Sequence, residues 1–148
     1  MEHNFESYYL EVMSYPKEEL KELAKKSMYF VHNQIKKQLT DIDERMKLIL
    51  VLVECYMIVD GPISDEERDL YKYMLEYKDD IPELNQMCIN SFNDLDKYKI
   101  LLDVLKKNDE DIRDGLFMLG ATIAAIDGEI NIKEQEFIEN MSRISITK

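Results

Sequence analysis

The chain of 148 residues has room for one domain with a sizeable core, and 45% hydrophobic residues exclude a disordered composition. Its formal net charge of -12 excludes the nucleic-acid backbone as a main partner, and a cation suits its surface better. The charge is uneven: residues 17–47 carry a net +2, whereas residues 48–148 carry a net -11.

Phe5, Tyr8, Tyr9, Val12 and Met13 recur at helical spacing and predict a short amphipathic N-terminal helix. Pro16 ends it and opens the next, which spans about Lys17 to Gln38 with Leu20, Leu23, Ser27, Val31 and Ile35 on one face. Asp41 and Glu44 read as a capping box for a third helix. That helix runs to Val59 and is apolar nearly all round from Leu48, as a central helix should be. Glu54 interrupts it. A buried carboxylate costs several kcal/mol unless paired, so Glu54 is expected on an exposed stripe; the alternative is an inward partner for Lys or an ion.

Gly61 and Pro62 stop the third helix, and Ser64 with Glu67 caps the next. Leu70, Met74 and Tyr77 give its inner face. After the break at Asp79-Asp80-Ile81-Pro82, two shorter helices follow, one through Leu84, Met87, Cys88 and Phe92 and one through Leu95, Tyr98, Leu102 and Leu105. A cap near Asn93 or Asp94 divides them. Asn108 and Asp111 form a further cap pair, before a stripe of Ile112, Leu116, Leu119, Ile123 and Ile126 that ends at Gly128. Asn131 and Glu134 cap the last helix, whose apolar face is Phe137, Ile138, Met141 and Ile144. No stretch alternates with period two, so the fold class is all-α with seven or eight helices.

The chain contains an echo. Asp60, Gly61, Ile63 and Glu67 recur 67 residues later as Asp127, Gly128, Ile130 and Glu134. The same offset lays Asp41 and Glu44 on Asn108 and Asp111, and Met74 on Met141. The unit is three helices used twice, repeat one over about residues 17–77 and repeat two over about 94–144, related by a pseudo-two-fold axis. The D-G-x-I-x-x-x-E pattern invites comparison with a calcium EF-hand. The positions that should supply its first two ligands are Tyr56 and Ile58 in one copy and Ile123 and Ala125 in the other, so neither loop is an EF-hand.

The pattern does resemble the TerB-like family, the helical domain of the tellurite-resistance and DjlA N-terminal type. The residues that carry the resemblance are Asp60, Gly61, Ile63, Ser64 and Glu67, then Asp127, Gly128, Ile130, Asn131 and Glu134. It covers almost the whole chain in length and helix order. It implies a single domain over residues 1–148 and metal binding by Asp60, Glu67, Asp127 and Glu134, with Ca²⁺ or another divalent cation as the ligand. It also implies a role in stress response, often linked to the inner face of the membrane. The chain departs from the family at Val59 and Ile126, where small residues are usual, and at Pro62 and Ile132, where polar ones are.

The same four carboxylates have a purely structural use. Asp60 and Asp127 can close turns, and Glu67 and Glu134 can act as capping-box acids. Two functions therefore stay open: an ion-responsive module, and a protein-protein interaction module whose loops are only helix caps. Catalysis finds little material, because His3 and His32 stand apart and no nucleophile elbow, HExxH or phosphate-binding loop is present. The expectation is a non-enzymatic protein. Cys55 and Cys88 form no CxxC and read as buried thiols of a reducing compartment. No signal peptide is read at the N-terminus, and the longest apolar run is too short to span a membrane, which takes roughly 20 residues. The reading is cytoplasmic, with the membrane's inner face as a peripheral station, and an unidentified protein as partner.

Overall fold

A computed structural model describes residues 5–59, 61–107 and 111–143, without the side chains of Phe5 and Asp111. Every regular element among them is helical: α1 (Phe5–Met13), α2 (Lys17–Gln34) with a 3-10 turn at Ile35–Lys37, α3 (Ile42–Ile58), α4 (Asp65–Leu75), α5 (Leu84–Asn93), α6 (Leu95–Lys106), α7 (Asp111–Ala125) and α8 (Ile132–Ser142). None of these helices is long and apolar enough to cross a membrane.

The helix starts follow local chemistry. Asp41 Oδ1 accepts from the Asp43 and Glu44 amides at 2.9 and 3.4 Å, and Asp94 Oδ1 accepts from the Lys97 amide at 3.1 Å. Each satisfies donors that a first helical turn leaves unpaired. The box expected at Asp41 is only half built, since Glu44 turns outward to Lys47 Nζ at 3.6 Å. The cap pair expected at Asn108 and Asp111, and the core residue expected at Ile144, fall outside the described residues and side chains.

The buried apolar side chains form one cluster. At its centre lie the two helices whose apolarity runs nearly all round. Residues 48–57 of α3 are all buried except half-buried Leu50, and residues 116–126 of α7 and the turn after it are all buried except half-buried Met118. α2 lies most extensively on α7, and α5 lies on α3, so each central helix is covered by a helix from elsewhere in the chain. Where α3 meets α7, Tyr56 Oη donates to the Leu116 carbonyl at 2.9 Å. A Cβ on Gly120 would stand 2.6 Å from the Tyr56 ring, so the approach depends on that glycine. α1 is held through Tyr8 and Tyr9, whose ring centroids lie 5.7 and 5.3 Å from that of Phe117.

Tyr8 of the first apolar stripe is exposed, and further expected core positions also lie at the surface. Tyr77 is past the end of α4 and stacks its ring on Tyr71 at 6.1 Å, Leu95 is the exposed first residue of α6, and Phe92 packs one side only, toward Phe137. Helical spacing identifies a stripe, and the neighbours decide how far along it burial extends.

Candidate functional site at the meeting of two acidic loops

The two loops after α3 and α7 are built alike. Gly61 and Gly128 have φ of 132° and 97°, conformations that glycine adopts without strain. Their amides close the ends of α3 and α7, Gly61 onto the Ile58 carbonyl at 3.0 Å and Gly128 onto the Ala125 carbonyl at 2.9 Å. In the first loop the Ser64 amide donates to Glu67 Oε1 at 3.0 Å, and the Glu67 amide donates to Ser64 Oγ at 3.1 Å. In the second, the Asn131 amide donates to Glu134 Oε1 and the Glu134 amide donates to Asn131 Oδ1, both at 2.9 Å. Both capping boxes are therefore complete. Glu67 and Glu134 are only 2% and 3% exposed, so these carboxylates lie inside the protein, each at the positive end of a helix.

The loops also touch. The Ser64 hydroxyl donates to Asp127 Oδ1, across 63 residues of sequence, and lies 3.3 Å from Glu67 Oε1. A carboxylate of the second loop thus meets the helix cap of the first. Each loop is pinned from outside as well: the Ile63 amide donates to Asn85 Oδ1 on α5 at 3.0 Å, and Gln135 Nε2 donates to the Ile130 carbonyl at 3.1 Å.

Of the four residues expected at the site, Glu67 and Asp127 are brought together, and Glu134 caps α8 in its own loop. Asp60 lies outside the described residues. Among the described residues, no three His, Cys, Asp or Glu side chains are grouped closely enough to hold an ion. The donor set that is seen is hard oxygen: carboxylates and a hydroxyl, the chemistry that suits Ca²⁺ or Mg²⁺ and not a soft metal. Ile132 is 67% exposed and adds no ligand.

Glu54 corrects the sequence reading. It lies on no exposed stripe: it is 5% exposed and accepts from Tyr71 Oη at 2.6 Å and Ser91 Oγ at 2.5 Å. Its partners are two hydroxyls from α4 and α5, which charge-based reasoning had no way to choose. Both thiols are buried near this carboxylate. Burial, with the Glu54 charge second, pushes Cys55 up to about 12 and raises Cys88 as well. Burial and the neighbouring carboxylate both disfavour the thiolate at each cysteine.

A second buried polar group lies where α2 leads into α3. His32 is 8% and Arg45 6% exposed, and among the described residues neither His32 Nε2 nor Arg45 Nε and Nη1 has a hydrogen-bond partner. Burial lowers the proton affinity of His32, and the Arg45 charge lowers it further. The burial of neither side chain was marked by the sequence, because an isolated His or Arg in a helix carries no depth signal.

Comparison with protein-family models, with curated proteins and with solved structures gives no match, so the functional reading rests on this geometry and on the motif.

Proposed function

We propose that the chain is a non-enzymatic, single-domain TerB-like module whose two D-G-x-I loops act as one unit and take up Ca²⁺ or another hard divalent cation. The observation that carries the reading is the convergence of Glu67 Oε1 and Asp127 Oδ1 on the Ser64 hydroxyl. A hydroxyl has one proton and cannot serve two carboxylates at once. Two carboxylates drawn to one place repel, and a cation there relieves the repulsion. Glu67 and Asp127 are the residues we assign to the ion first, with Asp60 and Glu134 completing the set. The meeting of the two loops, each built around the same capping box, also supports the two-repeat architecture. The setting in a tellurite-resistance type of stress response, in the cytoplasm and at the inner membrane face, rests on the motif resemblance alone.

A second reading is favoured by a specific observation. Both capping boxes are complete, and each Glu gives one oxygen to the amide of its own N-cap. On that reading the loops are structural, and the protein is an interaction module.

Thermal melts with and without Ca²⁺ or Mg²⁺ at matched ionic strength separate the two. The variants are Asp127→Asn with Glu134→Gln, and Asp60→Asn with Glu67→Gln, which keep the turn and cap hydrogen bonds and remove charge. An ion site stabilises the unchanged protein by about 2.7 kcal/mol at a hundredfold excess over Kd, and both variants lose most of that gain. Caps alone give no specific divalent effect and a small loss of stability in the variants. Equal shifts in all three proteins overturn the ion reading.

A further inference from the structure

The groove between α1 and α8 combines an apolar floor with an acidic rim. It has a volume of about 510 Å³ and adjoins the second loop, which contributes Glu129 and Ile130. Leu10, Met13 and Ile130 supply its apolar part, and Leu10 is 70% exposed. Three carboxylates line it: Glu6 from α1, Glu129 from the loop and Glu139 from α8. Glu139 is already engaged, accepting from Tyr9 Oη at 3.0 Å and lying 3.4 Å from Arg143 Nη2. Glu6 and Glu129 stand on different walls, and neither has an ion-pair or hydrogen-bond partner among the described residues. Among the described residues, the lining contains no Lys, Arg or His. Two other surface grooves differ in this respect, since one holds Lys26 beside Glu18, Glu19 and Glu22 and the other holds Lys78 beside Asp79 and Asp80. Each of those has a Lys in its own lining, whereas the Arg143 beside this one lies on Glu139 and leaves Glu6 and Glu129 to other cations.

We propose that this groove receives a basic segment of a partner protein, one that places a large apolar side chain against Leu10, Met13 and Ile130 and a Lys or Arg toward Glu6 and Glu129. The charge fixes the class of occupant. An acidic rim repels nucleic acid and the anionic lipids of a membrane surface, and it attracts cations. The apolar floor asks for more than an ion. Leu10 projects from the surface instead of roofing a closed cavity, and this suits a chain segment lying across it. Met13 is flexible and adapts its shape to what it meets, as methionines do at surfaces that accept varied apolar side chains. Charges at the rim steer the encounter and set its salt dependence, and the apolar contact holds the segment once it has arrived.

The test is fluorescence anisotropy of a short labelled helical peptide made of Lys, Leu and Ala, titrated with the full chain at low salt. EDTA is present throughout, so that the outcome does not depend on the ion reading of the neighbouring loop. Three variants are compared, all at exposed positions: Glu6→Gln with Glu129→Gln, Leu10→Ala, and Glu18→Gln with Glu19→Gln as a control that removes the same charge elsewhere. The groove pair should weaken binding about tenfold, Leu10→Ala about fivefold, and the control pair less than about twofold. Equal losses from the two charge pairs would show attraction to a generally acidic surface and overturn the proposal. So would the absence of saturable binding, or an unchanged affinity in Leu10→Ala.

Discussion

Replacing Tyr71 by Phe removes one oxygen and leaves the shape of the core unchanged. The ring is fully buried and stacks on Tyr77, which Phe can do equally well. What is lost is the donation from Tyr71 Oη to Glu54 Oε2 at 2.6 Å. A hydrogen bond to a charged group contributes about 1.5–3 kcal/mol, and a buried acceptor deprived of its donor sits at the upper end of that range. We therefore expect Tyr71→Phe to cost about 2–3 kcal/mol, a large part of a total stability of about 5–15 kcal/mol. Glu54→Gln keeps the volume and leaves one acceptor oxygen in place. The hydroxyl that faces the new amide can rotate to accept from it, so the cost should be nearer 1 kcal/mol. Once the carboxylate is gone, removing the Tyr71 hydroxyl has less to break. The double variant should fall short of additivity by about 1–2 kcal/mol. Urea unfolding of the four proteins measures this, with the slope checked for constancy so that the midpoints report stability alone. A cost below about 0.5 kcal/mol for Tyr71→Phe, or strict additivity, would refute the view that this carboxylate is held by its hydroxyl partners.

Other outcomes follow from the same packing. Val53→Ala and Ile123→Ala each empty a fully buried position on a central helix and should cost about 2–4 kcal/mol by the same unfolding measurement; less than about 1 kcal/mol at both sites would show that α3 and α7 are not the centre of the core. His32 gives a pH dependence. Its folded pKa is depressed by burial and by Arg45, so the unfolded chain binds the proton more readily. The stability contribution is full above the unfolded value of about 6.5 and is lost as pH falls below it toward the folded value. Unfolding free energies measured from neutral pH down through that range should fall less steeply in His32→Gln than in the unchanged protein, and equal slopes would remove His32 from the account.

What could be read from the sequence was whatever is decided within a few residues. Ser64, Asn131, Asp41 and Asp94 start helices because their side chains reach amides in the next turn, and that reach is fixed by sequence distance. The burial of α3 and α7 was legible for a related reason: a helix with no polar face has no face to turn to water. The rest depends on which distant segments meet. Glu54 looked exposed because its partners, Tyr71 and Ser91, lie 17 and 37 residues away and are not charged. Asp127 looked like a turn former of its own loop, and nothing local shows that it accepts from Ser64. Tyr77 and Leu95 fit their helical stripes and still lie at the surface, because each sits at a helix end where no neighbouring helix covers it.

The way the two central helices are covered bears on the order in which the chain can assemble. α2 finds its largest partner in α7, a helix that follows only after α3, α4, α5 and α6. The cap of α4 is joined to the loop after α7, and Tyr9 of the first helix reaches Glu139 of the last, 130 residues away. Early segments emerging during synthesis therefore lack α7, the helix on which α2 lies most extensively. A fragment ending before α7 would leave the inner face of α2 exposed, and such faces invite association with other chains. Although its motif occurs twice, the chain joins its early and late elements through α2 on α7, Tyr9 on Glu139 and Ser64 on Asp127. Such closure over long sequence distances is slow for a helical protein, and it makes the native state a property of the whole chain instead of a sum of two parts.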